Sequence, residues 1–295
     1  MGNSHTHLVP LSTPPERIQE YGVGLFKAIP TKSALKKALK KKQIQVNGTV
    51  AATSTMIEGG ETIIYTPLEN SGSDKRLNLK LKVLFEDDYL AAIYKPAGIL
   101  VSGNIFKTIA NGLSQNLLKS EQADAVTPHP VHRLDYATTG VLLVGKTSES
   151  IRRLNKLFED RDLQKTYYAL TIGTMESQGI IKEPITNKKA ITCFVLEATV
   201  DSPRFKYLNL VKLTPQTGRR HQLRIHLAGL GNPILGDKEY TPDPLILKGK
   251  GMYLHAASLE FTHPFTGKIH SIQAPLPERF TRIFNRPYWS CAYEV

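Results

Sequence analysis

The stretch Val131-His132-Arg133-Leu134-Asp135-Tyr136-Ala137-Thr138-Thr139-Gly140 places one carboxylate two residues after an arginine and three after a histidine. The run follows neither helical nor strand periodicity, which puts Asp135 in a loop. An ionised carboxylate there can attack an electrophilic carbon or take a proton. It can equally accept backbone hydrogen bonds or pair with Arg133. A second polar cluster, Arg219-Arg220-His221-Gln222-Leu223-Arg224, lies on an apolar segment that runs to Ala228 and stops at Gly229 and Gly231. Read as one helix, the segment brings Arg220, His221 and Arg224 to one face. A third group, Lys165-Thr166-Tyr167-Tyr168, opens an apolar run, and strand alternation sends Tyr167 and Tyr168 to opposite sides.

Metal chemistry finds little support. His221 and His226 are five residues apart and miss the shared face of an H-x-x-x-H pair, which weakens a site built from them and Asp237. The two cysteines, Cys193 and Cys291, form no C-x-x-C pair, so neither a zinc site nor a disulfide framework is expected. His132, His255 and His263 read as structural hydrogen-bonding residues. No metal and no cofactor is predicted.

The elements that must carry these groups follow from hydrophobic periodicity. Residues 81–85 and 90–94 read as two strands around the turn Glu86-Asp87-Asp88, broken by Lys95-Pro96-Ala97-Gly98. Val141-Leu142-Leu143-Val144 is a buried strand directly after the Asp135 loop. Ser148 is placed to cap a helix with Ile151, Leu154, Leu157 and Phe158 on one face. Asp135 therefore precedes a core strand, where a rigid scaffold can hold a functional loop.

A chain of 295 residues, 41% hydrophobic, suggests about two domains. Its net charge of +12 and pI near 9.5 favour polyanions, nucleic acid or an anionic membrane surface. No apolar run approaches the roughly 18 residues that span a bilayer, and the start lacks the basic-then-apolar order of a secretory signal. The expected compartment is the cytoplasm, with no membrane partner.

Much of the charge sits in residues 31–50, T-K-S-A-L-K-K-A-L-K-K-K-Q-I-Q-V-N-G-T-V. Ala34, Leu35, Ala38 and Leu39 fall on one side of a helix, Lys36, Lys37, Lys40 and Lys41 on the other, with Ser33 as its N-cap. Gln43-Ile44-Gln45-Val46 then alternates into the hairpin pair Asn47-Gly48. A solvated face is the plain reading of the lysines. Residues 17–66 also resemble the small S-four-type RNA-binding domain, through the basic helix, the V-N-G hairpin and a later G-G-E-T-I; the opening Arg17-Ile18-Gln19-Glu20-Tyr21 departs from that pattern. The polar segment Glu69–Lys75 reads as a linker.

Residues 79–275 resemble the RluA family of RNA pseudouridine synthases, through H-R-L-D-Y-A-T-T-G, K-T-Y at 165–167, P-Q-T-G-R-R-H-Q-L-R-I-H, G-N-P-I-L-G-D-K-E-Y and L-H-A-A-S-L-E-F-T-H-P-F-T-G. Thr139 and Tyr94 are small departures. The resemblance implies an α+β fold: a catalytic domain of mixed, largely antiparallel sheet with a central basic cleft, behind a small N-terminal α/β RNA-binding domain. The expected division is a flexible start at 1–16, the S-four-type domain at 17–66, a linker at 67–78, the catalytic domain at 79–285 and a tail at 286–295. It further implies that Asp135 is the catalytic carboxylate, that Arg224 pairs with it, and that Tyr167 stacks on the target base and is a candidate for proton transfer. Arg133 would fill the stack vacated by a flipped base, and Arg220 with Lys36, Lys37, Lys40 and Lys41 would bind RNA. The expected partner is structured RNA, ribosomal or transfer, engaged by a monomer. Two other classes stay open: a catalytically silent RNA-binding or assembly protein on the same fold, and a metal-dependent hydrolase.

Overall fold

The computed structural model describes residues 4–26, 28–29, 31–67, 77–247 and 249–284. The chain divides into two compact units, Met1–Lys75 and Arg76–Val295, a boundary inside the expected 67–78 linker. Residues 68–76 and the expected tail at 286–295 lie outside the described residues.

In the first unit the order is β1 (His5–Leu8), β2 (Glu16–Arg17), α1 (Ile18–Tyr21), α2 (Lys32–Lys40), β3 (Ile44–Val46), β4 (Thr49–Val50), β5 (Met56–Ile57) and β6 (Thr62–Tyr65). The main sheet runs β1-β6-β3-β4, and β2 pairs β5. Helix α2 forms as its pattern predicts: Leu35, Ala38 and Leu39 are buried against Ile18, Ile44 and Ile63, and Lys36, Lys37, Lys40 and Lys41 are exposed. Its cap is Thr31 in place of Ser33, and the Thr31 hydroxyl accepts from Ala34 N at 3.2 Å. Asn47 and Gly48 both take positive φ, +48° and +77°, as a type I′ hairpin requires. The start of the chain corrects the expectation of a flexible 1–16. Residues 5–8 pair antiparallel with β6, Val9 enters the core, and His5 stacks on Tyr65. That strand is held by the edge it finds, and its own polar sequence carries no signal for it.

The second unit continues with β7 (Lys82–Glu86), β8 (Leu90–Lys95), α3 (Ile109–Gly112), β9 (Ala125–Pro130), β10 (Thr139–Thr147), α4 (Ser148–Asp160), β11 (Gln164–Ile172), β12 (Gln178–Ile181), β13 (Thr192–Ser202), β14 (Lys206–Pro215), α5 (Gln222–Gly229), β15 (Leu254–Thr262), β16 (Ile269–Gln273) and α6 (Glu278–Phe284). The described strands form one sheet in the order β12-β13-β14-β11-β15-β10-β8-β7, with β16 on β15 and β9 on β10. All ladders are antiparallel except β10 with β15. This is the mixed, antiparallel-dominated α+β architecture expected.

β10 is buried along its whole length because both sheet faces are covered. Leu142 and Val144 join Ile93 and Ile109 on one side; Val141 and Leu143 meet Leu154 of α4 on the other. Helix α4 carries the predicted apolar face, but its N-cap is Thr147: the Thr147 hydroxyl accepts from Ser150 N and the Ser150 hydroxyl accepts from Thr147 N. That reciprocal box leaves Ser148 as the first helical residue.

The short parallel junction of β10 and β15, at Thr139↔His255 and Gly140↔Ala256, joins the two halves of the sheet. Gly140 has φ +121°, and a Cβ on it would lie 2.0 Å from the Ala256 carbonyl oxygen. Only glycine permits this approach. The Asp135 loop enters the sheet at this seam.

Candidate active site

Lys95 anchors the loop. Alternation along β8 puts it on the face of Ala91 and Ile93, fully buried, and its ammonium donates to the carbonyls of Pro96 at 3.0 Å, Tyr136 at 3.3 Å and Thr138 at 2.8 Å. Burial lowers its pKa to about 8, against the opposing pull of the Asp135 charge. Gly98 N donates to the Tyr136 carbonyl, and Thr138 N to that of Asp135. On the other side Leu143 N donates to His132 Nε2 at 2.9 Å, and the His132 ring stacks on Phe158. His255 joins Thr139 Oγ1 to the Ala274 carbonyl, and His263 links Asp87 to the backbone of residues 265 and 266. These three histidines are structural, as read from the sequence.

Asp135 opens into a cavity of about 320 Å³, lined also by Arg133, Lys165, Tyr167, Arg220, His221 and Arg224. That is the small end of the range for small-molecule pockets. Arg224 Nη1 stands 3.8 Å from Asp135 Oδ2. Arg133 is exposed and forms no ion pair with Asp135 among the described residues, which removes the plainest alternative for that carboxylate.

Arg224 is oriented by a second carboxylate. Its Nε and Nη2 donate to Asp237 at 2.6 and 2.7 Å, and Nη2 also reaches Glu239 at 2.9 Å. Burial works against the Asp237 charge, but the guanidinium and the backbone N–H groups of Glu239 and Tyr240 outweigh it and hold the carboxyl below its usual range. The guanidinium lies over the Tyr240 ring at 4.8 Å. So the fork is fixed on three sides, with Nη1 left pointing at Asp135.

Tyr167 faces the cavity from β11, and Tyr168 packs in the opposite core with Phe280, as alternation predicts. Burial, then the Asp135 charge, raise the Tyr167 pKa, so the phenol stays protonated. Lys165, on the same side of β11, also lines the cavity; burial and Arg161 lower its pKa.

One expected arrangement is corrected. Helix α5 begins at Gln222, and His221 has φ +55°, so neither Arg220 nor His221 continues the helical face of Arg224. The turn is built by Gln222, whose side-chain oxygen accepts from Thr217 Oγ1 and Arg219 N while its amide donates to Ile191 O and Thr192 Oγ1. Arg220 is exposed at the cavity wall. The histidine and aspartate weighed as metal ligands have separate partners: His226 lies between Thr192 and Glu183, His221 on Tyr240, Asp237 on Arg224.

Sequence reasoning missed Lys95 and the positioning roles of Asp237, Glu239 and Tyr240. For Lys95 a signal exists, since it continues the alternating buried positions Ala91 and Ile93 just before a proline. Lys36, Lys37, Lys40 and Lys41 belong to the first unit and are not among the residues of this cavity.

A sequence profile described as RNA pseudouridylate synthase matches residues 89–229. The ribosomal large subunit pseudouridine synthase D of Nitrosomonas europaea is 34% identical over 275 residues, covering 84% of this chain and 78% of that protein. The chain belongs to the RluA-type RNA pseudouridine synthase family. As a member it is an isomerase acting on RNA. The ribosomal large subunit pseudouridine synthase C of Rickettsia bellii is 33% identical, covering 90% of this chain and 96% of that one. Among solved structures, human RNA pseudouridylate synthase domain containing 4 matches with a TM-score of 0.58 and 25% identity, over 69% of this chain and 92% of that one.

Proposed function

We propose that this synthase modifies uridines of large-subunit ribosomal RNA, with Asp135 as the reacting carboxylate. The observation that carries the reading is the convergence of Asp135, Tyr167 and Arg224 in one cavity from three separate elements. Isomerisation breaks the N1 to C1′ bond, turns the base and rejoins it through C5, with no redox equivalent consumed. Attack on C1′ and proton abstraction from the sugar both use an ionised carboxylate. Arg224 supports that charge at 3.8 Å, and Tyr167 offers its ring as a stacking surface. The surrounding Arg133, Lys165, Arg219 and Arg220 make the cleft basic and suited to the RNA backbone. Flipping a base out of a helix costs a few kcal/mol, and in this reading Arg133 fills the gap, which its exposure at the cavity wall supports. A monomer working in the cytoplasm is part of this reading. The lysine face of α2 supports reading the first unit as an S-four-type RNA-binding domain that adds non-specific affinity. The large-subunit substrate is drawn from the names of the relatives above.

The test is tritium release from RNA labelled at uridine C5, since joining C5 to C1′ expels that hydrogen. Unmodified large-subunit RNA and transfer RNA are compared, with wild type and Asp135→Asn. Release from the large-subunit RNA by wild type only is expected, with RNA affinity kept by the variant. Wild-type release by Asp135→Asn would refute the assignment. No release from any RNA by wild type would make the chain a silent RNA-binding protein on this fold.

A further inference from the structure

Three carboxylates gather on one guanidinium. Arg224 bonds Asp237 at 2.6 and 2.7 Å and Glu239 at 2.9 Å, and meets Asp135 only at 3.8 Å. Among the described residues Arg224 is the one arginine or lysine within 4.0 Å of these three carboxylates, with Lys95 acting on Asp135 from farther away, and uncompensated charge becomes costly as a pocket dries around a base. A second group able to become a cation sits inside the cluster. His221 Nδ1 is 3.4 Å from Glu239 Oε1, its Nε2 is 3.8 Å from Asp135 Oδ1, and its side chain is only 13% exposed.

The backbone of His221 is also unusual. Its φ of +55° lies in the left-handed region, uncommon outside glycine but adopted more often by asparagine, aspartate and histidine than by other residues, and although it stands at the N-cap of α5, its side chain caps nothing. Capping therefore does not account for the placement of the ring. An observed backbone outlier at a site is a ground for asking what role holds it. The ring is fixed by the Tyr240 hydroxyl, 2.9 Å from Nδ1, and by an edge contact with the Tyr240 ring.

We propose that His221 is a positioning residue for Asp135: as an imidazolium it supplies the second positive charge of the cluster and holds the carboxylate from Oδ1 while Arg224 holds Oδ2. This rests on Asp135 being the reacting carboxylate. Both cations stand at 3.8 Å, beyond hydrogen-bond range, so they stabilise the charge and leave the oxygen lone pairs open to substrate. The charged and titratable groups facing the ring are Asp135 from the loop before β10, Glu239 and Tyr240 from the segment after α5, and Arg224 from α5 with Asp237 behind it. The stabilisation is present only while the ring carries its proton, so the chemical step slows as rising pH removes it.

Single-turnover tritium release measures this in wild type and in His221→Asn, which tolerates the left-handed backbone but carries no charge. The expected rate constant falls about tenfold, the equivalent of one pKa unit of stabilisation. The enzyme concentration for half-saturation changes by less than about twofold, as expected for a group acting on the chemical step, and the decline of wild-type rate with rising pH disappears. A wild-type rate, or a lower rate with the wild-type pH profile, overturns the proposal. Should the variant fail to fold, NMR titration of labelled histidine in wild type and Asp135→Asn decides. Removing the neighbouring carboxylate should move the His221 titration to lower pH, and an unmoved titration refutes the pairing. Activity of Asp135→Asn would instead sink the assignment of the reacting carboxylate, a separate outcome.

Discussion

The Tyr167 phenol is held protonated by burial and by the charge of Asp135, so it meets a substrate as a neutral hydroxyl on a flat ring. If that hydroxyl moves a proton, Tyr167→Phe should lower the single-turnover rate by roughly 10²–10⁴ and leave RNA binding nearly intact. A near-normal rate would restrict the residue to stacking. Of the residues around it, Asp135 in a non-periodic run and Arg224 on an apolar segment stand out by their local company, while strand parity only separates Tyr167 from Tyr168 and the K-x-Y motif of the family resemblance selects Tyr167. Lys95 shows only as the next buried position of an alternating strand and Asp237 only as a candidate metal ligand; their actual partners were not legible, because those lie elsewhere along the chain. Lys95 binds carbonyls of residues 136 and 138, and Asp237 binds a guanidinium 13 positions back. Periodicity carries no record of such pairings.

At the scale of elements, periodicity read α2, α4, β8, β10 and β11 correctly, since each has one apolar face or none that is polar. Its errors fell at ends, where hydrogen bonds to nearby side chains decide: Thr31 and Thr147 displaced the serines as caps, and His221 broke the extension of α5. Strand β1 was missed because it is polar and is stabilised by pairing with β6. Helix α2 shows what the correct reading is worth. Its four lysines are exposed, with Leu35 and Leu39 buried beneath them, so replacing Lys36, Lys37, Lys40 and Lys41 with Gln leaves the packing of the first unit in place. The slope of log affinity against log salt for RNA should then fall by somewhat under one unit for each phosphate that a lysine no longer neutralises. An unchanged slope in a filter-binding series would mean that these lysines only solvate the helix.

For the whole molecule, a net charge of +12 suits a polyanion but says nothing about how the fold responds to acid. Part of that response comes from two enclosed rings on either side of the Asp135 loop. Burial, reinforced by Lys165, lowers the His132 pKa from 6.5 to about 3, and burial, reinforced by Arg279, lowers that of His255 to about 4. Both are neutral in the folded chain, because a proton on His132 would displace the Leu143 N–H and one on His255 would be desolvated between the sheet and α6. In the unfolded chain both bind a proton near pH 6.5. The unfolded state therefore holds more protons between the two sets of values, and stability rises with pH through that window. It is complete above about pH 6.5 and is lost progressively on acidification until each ring protonates in place. Asp237, held below its usual range, adds to the same trend at lower pH. From pH 7 to pH 5 the free energy of unfolding should drop by about 4 kcal/mol for the two rings together. Hydrogen exchange of the β10 amides, which run between His132 and α4, reads this directly once corrected for the intrinsic exchange rate. Protection that is equal at the two pH values would show that these rings are not neutral in the folded core, and the seam of the sheet at Gly140 would need another account of its burial.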